Sequence, residues 1–316
     1  MINMKIVVLD GYASNPGDLS WEPLAQMGDL TVYDRTAPNE LFDRIKDAEI
    51  ILLNKTPMNA AAFEAAPKLK LISVLATGYN VIDIEAAKAH GVRVCNAGTY
   101  SSAAVAQMTI ALLLEATQQV GSHNDAVKAG RWSESKDFCF WNRPLMELEG
   151  KTMGLVGFGS IAQATAKVAE AFGMKVIYNT RHTHDDPRFV SLDTLLRESD
   201  IVSLHCPQTA ENLKMINTET IGRMKDGAIL INTARGGLVD EEAICKALEE
   251  GKLAYYAADV VSKEPIAKEN PLLTAKNCYL TPHIAWAPKE TRQRLHSINE
   301  ENVRAFLAGK PQNVIV

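Results

Sequence analysis

Short runs of aliphatic and β-branched residues recur along the chain and alternate with stretches of helical character. The first half holds KIVVLD, LTVYD, EIILLN, LISVL and VRVCN, and the second half holds MGLVGFG, KVIYN, DIVSLH, AILINTA, AYYAADVV and CYLTPHI. Because these runs are nearly all apolar, we expect strands of parallel sheets that are covered by helices on both faces. Alternating strands and helices are typical of an α/β fold with doubly wound parallel sheets.

The strand–helix rhythm occurs twice. The first set ends near Asn96, and the second begins near Lys151. Between them lies an alanine-rich helical stretch from Ser101 to about Gly121, with Ser101 and Ser102 as N-caps. Its position predicts a helix that joins two α/β units. A chain of 316 residues suffices for two domains of ~150 residues each.

Residues 131–150 show neither helical nor strand periodicity. The cluster of Phe138, Phe140 and Trp141 within them is unusual for a solvated loop. Either these rings cover a local core, or they form a dimer contact or the wall of a neighbouring active site.

The C-terminal segment has the start and stop signals of a helix. Pro288 marks its first turn, and Gly309 and Pro311 mark its end. Its buried face is expected to be formed by four apolar residues at roughly helical spacing, Leu295, Ile298, Phe306 and Leu307.

The composition argues against several classes of protein. With 33 basic and 38 acidic residues the formal net charge is −5, whereas nucleic-acid and anionic-membrane partners require clustered lysine and arginine. No run of ~18 consecutive apolar residues occurs, so no transmembrane helix is expected. The first apolar run is short and has the pattern of a strand, which argues against a signal peptide.

The five cysteines are odd in number and scattered, and no two of them form a Cys-x-x-Cys pair. Neither a disulfide framework nor a zinc site is expected, and no metal is predicted as a cofactor. A reducing compartment fits this pattern best, which predicts a cytoplasmic protein.

The strongest local motif is GLVGFGSIA at residues 154–162, which directly follows a predicted strand and opens a predicted helix. Gly157 permits a tight turn, and Gly159 lets the backbone approach a pyrophosphate. Ala162 stands at the third glycine position, where a small residue allows close packing of helix on strand. The free N–H groups of Ser160 and Ile161 would face the phosphates. The motif predicts a dinucleotide site for NAD or NADP.

The ribose-binding residue of this motif is expected ~20 residues further on, at the end of the next strand. That strand is predicted over 175–178, and Asn179 follows it, with Arg181 close behind. A carboxylate would repel a 2′-phosphate, whereas asparagine with a nearby arginine can accept one, so NADP is at least tolerated. The alternative is that Arg181 is a solvated loop residue. The HTHDD run after Arg181 is interpreted as a polar loop rather than a metal site.

Further segments in the second unit each end a predicted strand, where open α/β sheets bind their ligands. Taken singly, Arg235 could belong to a structural ion pair, Glu264 could start a helix, and His283 could be a core histidine. Together they supply a cation, a carboxylate and an imidazole beside the predicted nicotinamide site. The same strand ends add candidate cofactor contacts, namely Cys206, Pro207, Thr233, Ala234, Arg235, Asp259, His283 and Ala285.

In these motifs the sequence resembles the D-isomer-specific 2-hydroxyacid dehydrogenases over essentially its whole length. The similar stretches are ATGYNVID, VAQMTIALLL, GLVGFGSIA, HCPQT, NTARGGLVDE, DVVSKEP and TPHIAW. ATGYNVID, DFCFWNRPLMELEGKTMG and PHIAW are most similar to the glycerate dehydrogenase, or hydroxypyruvate reductase, branch. Two residues depart from the family pattern. Ala162 replaces the third glycine, and Asn179 replaces the usual aspartate, which puts a strict preference for NAD in doubt.

The resemblance implies a Rossmann cofactor domain at residues 99–287. It implies a flavodoxin-like substrate domain assembled from 1–98 and 288–316, with a catalytic cleft between the two domains, whose closure would exclude water. It also implies a homodimer formed by the helical stretch after Ser101 and the segment 131–150, with Trp141 reaching toward the partner.

The resemblance further implies roles that the chemistry of the residues supports. His283 would protonate the keto oxygen as hydride arrives, and Glu264 would hydrogen-bond the imidazole and hold it cationic. Arg235 would clamp the carboxylate and carbonyl oxygens of a 2-oxo acid with its fork of donors. In the first unit, the backbone N–H groups of Thr77 and Gly78 would receive the substrate carboxylate.

The implied activity is the reduction of a small 2-oxo acid, hydroxypyruvate and also glyoxylate, to the D-2-hydroxy acid with NADPH or NADH. D-Lactate and 3-phosphoglycerate dehydrogenases are the alternatives among enzymes, although a phosphorylated substrate would require more cations near the substrate loop than Lys55. From a different class, dinucleotide-sensing corepressors share the fold and the triad, but this sequence has no obvious exposed apolar patch for a peptide partner.

Overall fold

The computed structural model describes residues 4–316 of the chain. They form two compact units, one made of the residues up to Ser101 together with Ala287–Val316, the other made of Ser102–Trp286. Each unit is built around a parallel β-sheet of its own. The prediction of two α/β units with parallel sheets is confirmed.

The sheet of the first unit consists of β1 (Lys5–Val8), β2 (Asp29–Val32), β3 (Ile50–Leu53), β4 (Leu71–Val74) and β5 (Arg93–Cys95). The strands are parallel and stand in the order β2-β1-β3-β4-β5, which is the flavodoxin-like order. β3 and β4 are buried along their whole length because helices cover both faces of the sheet. The helices of this unit are α1 (Glu22–Ala25), α2 (Leu41–Ile45), α3 (Ala60–Glu64), α4 (Ile84–Ala89) and the C-terminal α11 (Lys289–Leu307).

The C-terminal helix α11 packs against β4 through a face that is largely polar. The Ser73 hydroxyl in β4 donates a hydrogen bond of 2.7 Å to Oδ1 of Asn299. Leu295 is buried as predicted, but Phe306 is only partly buried and Leu307 is exposed. The prediction of an apolar face that includes the last turn was therefore wrong, because buried hydrogen bonds hold much of this helix on the sheet.

The sheet of the second unit consists of β6 (Thr152–Val156), β7 (Lys175–Asn179), β8 (Ile201–Leu204), β9 (Ala228–Asn232), β10 (Leu253–Ala258) and β11 (Cys278–Leu280). Its strands are parallel, in the order β11-β10-β9-β8-β6-β7. β6 lies between β7 and β8, so the chain winds in opposite directions around β6 and creates the switch point where Rossmann folds bind dinucleotides. The helices are α5 (Ser102–Gln118), α6 (Val120–Lys128), α7 (Ser160–Ala171), α8 (Leu192–Glu198), α9 (Thr218–Arg223) and α10 (Glu241–Glu249).

The irregular segment 131–150 contains turns and bends but no helix or strand. Phe138 is 90% exposed and Trp141 is 61% exposed, so these two rings do not cover a local core within this chain. Phe140 lies under the guanidinium of Arg131, whose carbon is 4.4 Å from the ring centroid. The local-core interpretation was thus wrong for Phe138 and Trp141, and the second interpretation, a surface for a partner, stays a prediction.

Within residues 4–316, none of the helices combines the length and the apolar character needed to cross a bilayer.

Candidate active site

The glycine-rich loop joins β6 to α7. Gly157 has a φ of +96°, and a Cβ at this position would lie 2.8 Å from backbone atoms of His205 and Cys206, so only glycine fits. Gly159 is the extended N-cap of α7, and no atom lies within 4 Å of the position its Cβ would take. Ala162 is fully buried, which brings α7 close to the sheet. A tight turn, an open backbone and the N-terminus of a helix of 12 residues fit a bound pyrophosphate.

The end of β7 lies directly beside this loop. The N–H of Gly157 donates to the carbonyl of Asn179 at 2.8 Å. The side-chain Nδ2 of Asn179 donates to the carbonyl of Val190, also at 2.8 Å. Two residues further on, Arg181 is exposed, and its Nη2 lies 3.9 Å from Oε2 of Glu211. The structure therefore brings Asn179 to the glycine loop, and it brings Arg181 to Glu211 of the loop after β8.

The loop after β8 forms the opposite side of the switch point. His205 has its Nε2 2.9 Å from the Ser203 hydroxyl, and burial lowers the pKa of His205 to about 4. Burial raises the pKa of the neighbouring Cys206 thiol, so this cysteine is held as the neutral thiol. Pro207 follows directly in the same loop. The loop is thus lined by uncharged groups where it faces Gly157.

The turn after β9 presents Arg235. The fully buried Asn232 holds this turn, because its Oδ1 accepts the N–H of Ala234 at 3.1 Å and its Nδ2 donates to the carbonyl of Arg235 at 2.9 Å. The Thr233 hydroxyl lies 2.9 Å from the hydroxyl of Thr109 on α5. The Arg235 side chain is exposed, and its Nη1 donates to the carbonyl of Ala234 at 2.7 Å. The backbone is therefore fixed while most of the guanidinium donors remain available to an anion.

Asp259, at the end of β10, organises the turn that carries the histidine. Its Oδ1 accepts the hydroxyl of Thr281 at 2.5 Å and the N–H of Ile284 at 2.9 Å. Its Oδ2 accepts the N–H of Ala285 at 2.8 Å, and the residue is 1% exposed. His283 stands inside this clamp with a φ of +55°. The sequence indicated Asp259 and Ala285 as cofactor contacts. In the structure these two residues are hydrogen-bonded to each other, and their contact with a cofactor stays a prediction.

His283 and Glu264 form a direct pair. Nδ1 of His283 lies 2.6 Å from Oε2 of Glu264, and the two side chains are 30% and 36% exposed. The other oxygen of Glu264 accepts the N–H of Val261 at 3.3 Å, and the Trp286 indole donates to the carbonyl of His283 at 2.8 Å. A carboxylate on Nδ1 fixes the ring orientation and leaves Nε2 as the nitrogen that can exchange a proton with a ligand.

The three predicted catalytic side chains lie at one edge of the sheet. Arg235 follows β9, Glu264 follows β10 and His283 follows β11, and these three strands are neighbours. Because all strands are parallel, their carboxyl ends meet at the edge to which the glycine loop also belongs. The second unit therefore combines a dinucleotide-type loop with a cation, a carboxylate and an imidazole.

The predicted carboxylate-binding loop lies in the first unit, after β4. The Thr77 carbonyl accepts Nδ2 of Asn96 at 2.7 Å, and the Thr77 hydroxyl donates to the carbonyl of Gly98. In the part of the chain that the structure describes, the backbone N–H groups of Thr77 and Gly78 have no acceptor. Two adjacent free N–H groups in a loop held by its carbonyl and side chain can bind an anion.

Sequence reasoning missed two residues that shape these loops. Asp10, directly after β1, accepts the N–H groups of Asn54, Lys55 and Thr56 at 2.6, 2.6 and 2.8 Å and so fixes the loop after β3. Asn232 holds the Arg235 turn. Both stand at the carboxyl end of a predicted strand, which was the signal available in the sequence.

Among residues 4–316, no group of three or more histidine, cysteine, aspartate and glutamate side chains is arranged to hold a metal ion. The HTHDD run contributes instead to local packing, with His184 edge-on to Tyr178 at 6.1 Å between ring centroids.

Comparisons with known proteins agree with this geometry. Residues 110–285 match the family described as D-isomer specific 2-hydroxyacid dehydrogenase, NAD binding domain. Over 320 aligned residues the chain is 50% identical to the hydroxypyruvate reductase of Blautia hydrogenotrophica, covering 99% of both proteins. It is 42% identical over 286 residues to the glycerate dehydrogenase of Methylorubrum extorquens, covering 90% of each.

Among solved structures, the chain is similar to an acyclic imino acid reductase in complex with NADPH and D-Arg. The TM-score is 0.87 at 29% sequence identity, and the similarity covers 99% of this chain and 100% of the other. The similarity thus extends over both units of the fold.

Proposed function

Because the chain belongs to the D-isomer specific 2-hydroxyacid dehydrogenases, it is an oxidoreductase with an NAD-binding domain, and we propose that it reduces hydroxypyruvate to D-glycerate, with glyoxylate as a second substrate. Family membership confirms the resemblance found in the sequence motifs. The observation that carries the proposal is the 2.6 Å pair of His283 and Glu264 at the sheet edge that also bears the glycine loop and Arg235. The 50% identity to a hydroxypyruvate reductase supports the choice of substrate.

The chemistry assigned to the chain's own residues is acid–base catalysis and anion binding. A bound nicotinamide cofactor supplies or accepts the hydride. His283 donates a proton from Nε2 to the carbonyl oxygen of the 2-oxo acid, and it takes the proton back when the 2-hydroxy acid is oxidised. Glu264 keeps the ring oriented and stabilises its cationic form, because a carboxylate on Nδ1 favours a charged imidazole.

Arg235 is assigned to the substrate. Its exposed guanidinium has donors to spare for a carboxylate and for the carbonyl oxygen, and this polarises the bond to be reduced. The free N–H groups of Thr77 and Gly78 are assigned to a substrate carboxylate. We assign the substrate domain to residues 1–98 and 288–316 and the cofactor domain to residues 99–287.

The cofactor would be held by the glycine loop and by the loops that follow the neighbouring strands. Gly157, Gly159, Ser160 and Ile161 are assigned to the pyrophosphate, and Asn179 with Arg181 to the adenosine ribose. The remaining assigned contacts are those of the other strand ends, Cys206, Pro207, Thr233, Ala234, Arg235, Asp259, His283 and Ala285. Both NADH and NADPH are proposed as cofactors.

The assembly proposed is a homodimer. The rings of Trp132, Phe138 and Trp141 are exposed in the segment 131–150, and a second copy would cover them. The compartment proposed is the cytoplasm, because all five cysteines are free thiols.

The proposal is tested by initial rates of NADH and NADPH oxidation with hydroxypyruvate, glyoxylate, pyruvate and 3-phosphohydroxypyruvate. We expect the highest kcat/KM with hydroxypyruvate. The product should be D-glycerate, which an assay specific for that enantiomer detects. The His283→Ala variant should lose the activity. A higher kcat/KM with one of the other acids would reassign the substrate within the family. No oxidation with any of them would contradict the proposed reaction.

A further inference from the structure

The side-chain amide of Asn179 already makes a hydrogen bond within the chain. Its Nδ2 donates to the Val190 carbonyl at 2.8 Å, so one of its two amide hydrogens is already bonded within the chain. Oδ1 can accept a hydrogen bond from a ribose hydroxyl, and the side chain carries no charge. A ribose 2′-hydroxyl can donate to Oδ1, whereas an ionised 2′-phosphate cannot. Positive charge for a phosphate must therefore come from another residue.

The nearest arginine along the chain is paired with a carboxylate from a different loop. Nη2 of Arg181 lies 3.9 Å from Oε2 of Glu211, and the two side chains are 71% and 78% exposed. Glu211 belongs to the loop after β8, the strand that flanks β6 on the side opposite β7. Hydrogen bonding and the charge of Arg181 lower the pKa of Glu211, so its carboxylate is charged at neutral pH.

The second arginine of this region is also neutralised. Arg188 donates to Asp186 at 3.0 Å and to Glu170 at 3.2 Å. Its guanidinium carbon lies 5.2 Å from the centroid of the Phe158 ring, against which it packs. Arg181 is therefore the cation that a 2′-phosphate would have to recruit, and Glu211 competes with the phosphate for it.

We propose that Glu211 is a specificity-determining residue for the cofactor, which lowers the affinity for the 2′-phosphate of NADPH by pairing with Arg181. The inference rests on the proposed use of a nicotinamide dinucleotide. It extends that proposal, because Asn179 carries no charge, so the affinity for a 2′-phosphate depends on Arg181 and on the carboxylate that pairs with it. Glu211 touches no reacting atom, so it sets which cofactor binds and leaves the chemical step unchanged.

The test uses Glu211→Gln, Arg181→Gln and the double variant in the full-length protein. Dissociation constants for NADPH and NADH are measured by fluorescence titration without substrate, at low and at high salt. Glu64→Gln is the matched control, because it removes one exposed carboxylate from the other unit and changes the net charge equally. Steady-state kcat/KM with hydroxypyruvate is measured separately for each cofactor.

We expect Glu211→Gln to lower the dissociation constant for NADPH about three- to fivefold at low salt. The effect should be smaller at high salt, because salt screens the exposed charge of Glu211. NADH affinity should change less than twofold, and Glu64→Gln should change neither. The gain should disappear when Arg181 is also replaced. Glu211→Lys should give a larger gain in the same direction.

Equal changes for both cofactors would overturn the inference, and so would a gain for NADPH that persists in the Arg181→Gln background. If the affinities change as expected while no 2-oxo acid is reduced, the role of Glu211 stands and the proposed reaction fails. If hydroxypyruvate is reduced but Glu211→Gln leaves the NADPH-to-NADH ratio of affinities unchanged, the reaction stands and this inference fails.

Discussion

The carboxylate of Asp259 accepts the backbone N–H of Ala285 at 2.8 Å, and through this contact the end of β10 fixes the turn that presents His283. The same carboxylate also binds the Thr281 hydroxyl and the Ile284 N–H, which makes three hydrogen bonds to one buried charge. His283, at a φ of +55°, has a backbone conformation that is uncommon outside glycine and needs such support. Asp259 is therefore a positioning residue for the imidazole.

Asp259→Asn should lower kcat for 2-oxo acid reduction by about 10- to 100-fold, because one of the two acceptor oxygens becomes an NH2 donor that faces a backbone N–H. Losing charged hydrogen bonds in a buried site should also lower the free energy of unfolding by about 1–3 kcal/mol. Steady-state kinetics and urea unfolding measure the two effects. Unchanged kcat in a folded Asp259→Asn variant would mean that the turn does not depend on this clamp.

His283→Ala should reduce kcat by at least the ~10² that is typical when a general acid is removed. Glu264→Gln should reduce kcat less, because the imidazole remains and loses only its charged partner. The double variant should be scarcely worse than His283→Ala, since groups that act as a unit are not additive. Rapid-quench kinetics with either cofactor measures the chemical step. A double variant whose loss equals the product of the two single losses would show that Glu264 acts independently of His283.

Cofactor dissociation constants provide the control for this pair. The pair is assigned to proton transfer, so both single variants should bind NADH within a few-fold of the parent chain. A loss of NADH affinity as large as the loss of kcat would instead make His283 a structural residue.

The sequence predicted the elements better than it predicted the contacts that hold the site. Strand ends, the glycine loop and the pairing of His283 with Glu264 follow from local pattern and from resemblance. Asp10 and Asp259 accept hydrogen bonds from residues far away along the chain, and the side-chain amide of Asn232 fixes a local turn. No hydrophobic periodicity in the sequence indicates these contacts.

The two wrong predictions have a common physical cause. Burial was inferred from apolar character, yet α11 packs through Asn299 and other polar groups, and Phe138 and Trp141 are exposed. An apolar side chain gains by burial only where a neighbouring surface covers it, and a buried amide is stable where its hydrogen bonds are satisfied. Neither condition can be read from one residue's type.

Gly236→Ala should destabilise the second unit strongly. A Cβ at this position would lie 1.9 Å from the carbonyl carbon of Val261, which is backbone and cannot move aside. We expect the free energy of unfolding to fall by ~1–3 kcal/mol or more, as for other overpacked sites. Because Gly236 follows Arg235, kcat/KM should fall as well.

The matched control is Gly222→Ala in α9, where nothing lies within 4 Å of the new Cβ. This change should be neutral or stabilise the fold by up to ~1 kcal/mol, because alanine favours a helix over glycine. Thermal unfolding of both variants measures the contrast. Equal stability of the two variants would show that the approach of Val261 to Gly236 can relax without cost.

The stability of the protein should fall as the pH is lowered from about 6.5 toward 4, because His296 and His205 are held neutral in the fold. Burial lowers the pKa of His296 to about 4 and that of His205 to about 4, against an ordinary value near 6.5. Below pH 6.5 the unfolded chain therefore binds more protons than the folded chain, and the fold loses stability. Well above pH 6.5 both histidines are neutral in the folded and in the unfolded chain, so neither makes the free energy of unfolding depend on pH.

His296 is the histidine to replace. Its Nε2 lies 3.2 Å from the Ser14 hydroxyl, and its ring centroid lies 4.5 Å from that of Trp21, so a proton would place a charge in a packed, poorly hydrated site. By linkage, each histidine with such a shift costs about 2 kcal/mol of unfolding free energy at pH 5 relative to pH 7. The free energy of unfolding is measured with urea at pH 7.5, 6, 5 and 4.5. It should decrease less with falling pH in His296→Gln than in the parent chain, and above pH 7 its pH dependence should be the same in both. An unchanged pH slope in that variant would mean that His296 is already protonated in the fold or is hydrated, and that another group drives the acid loss.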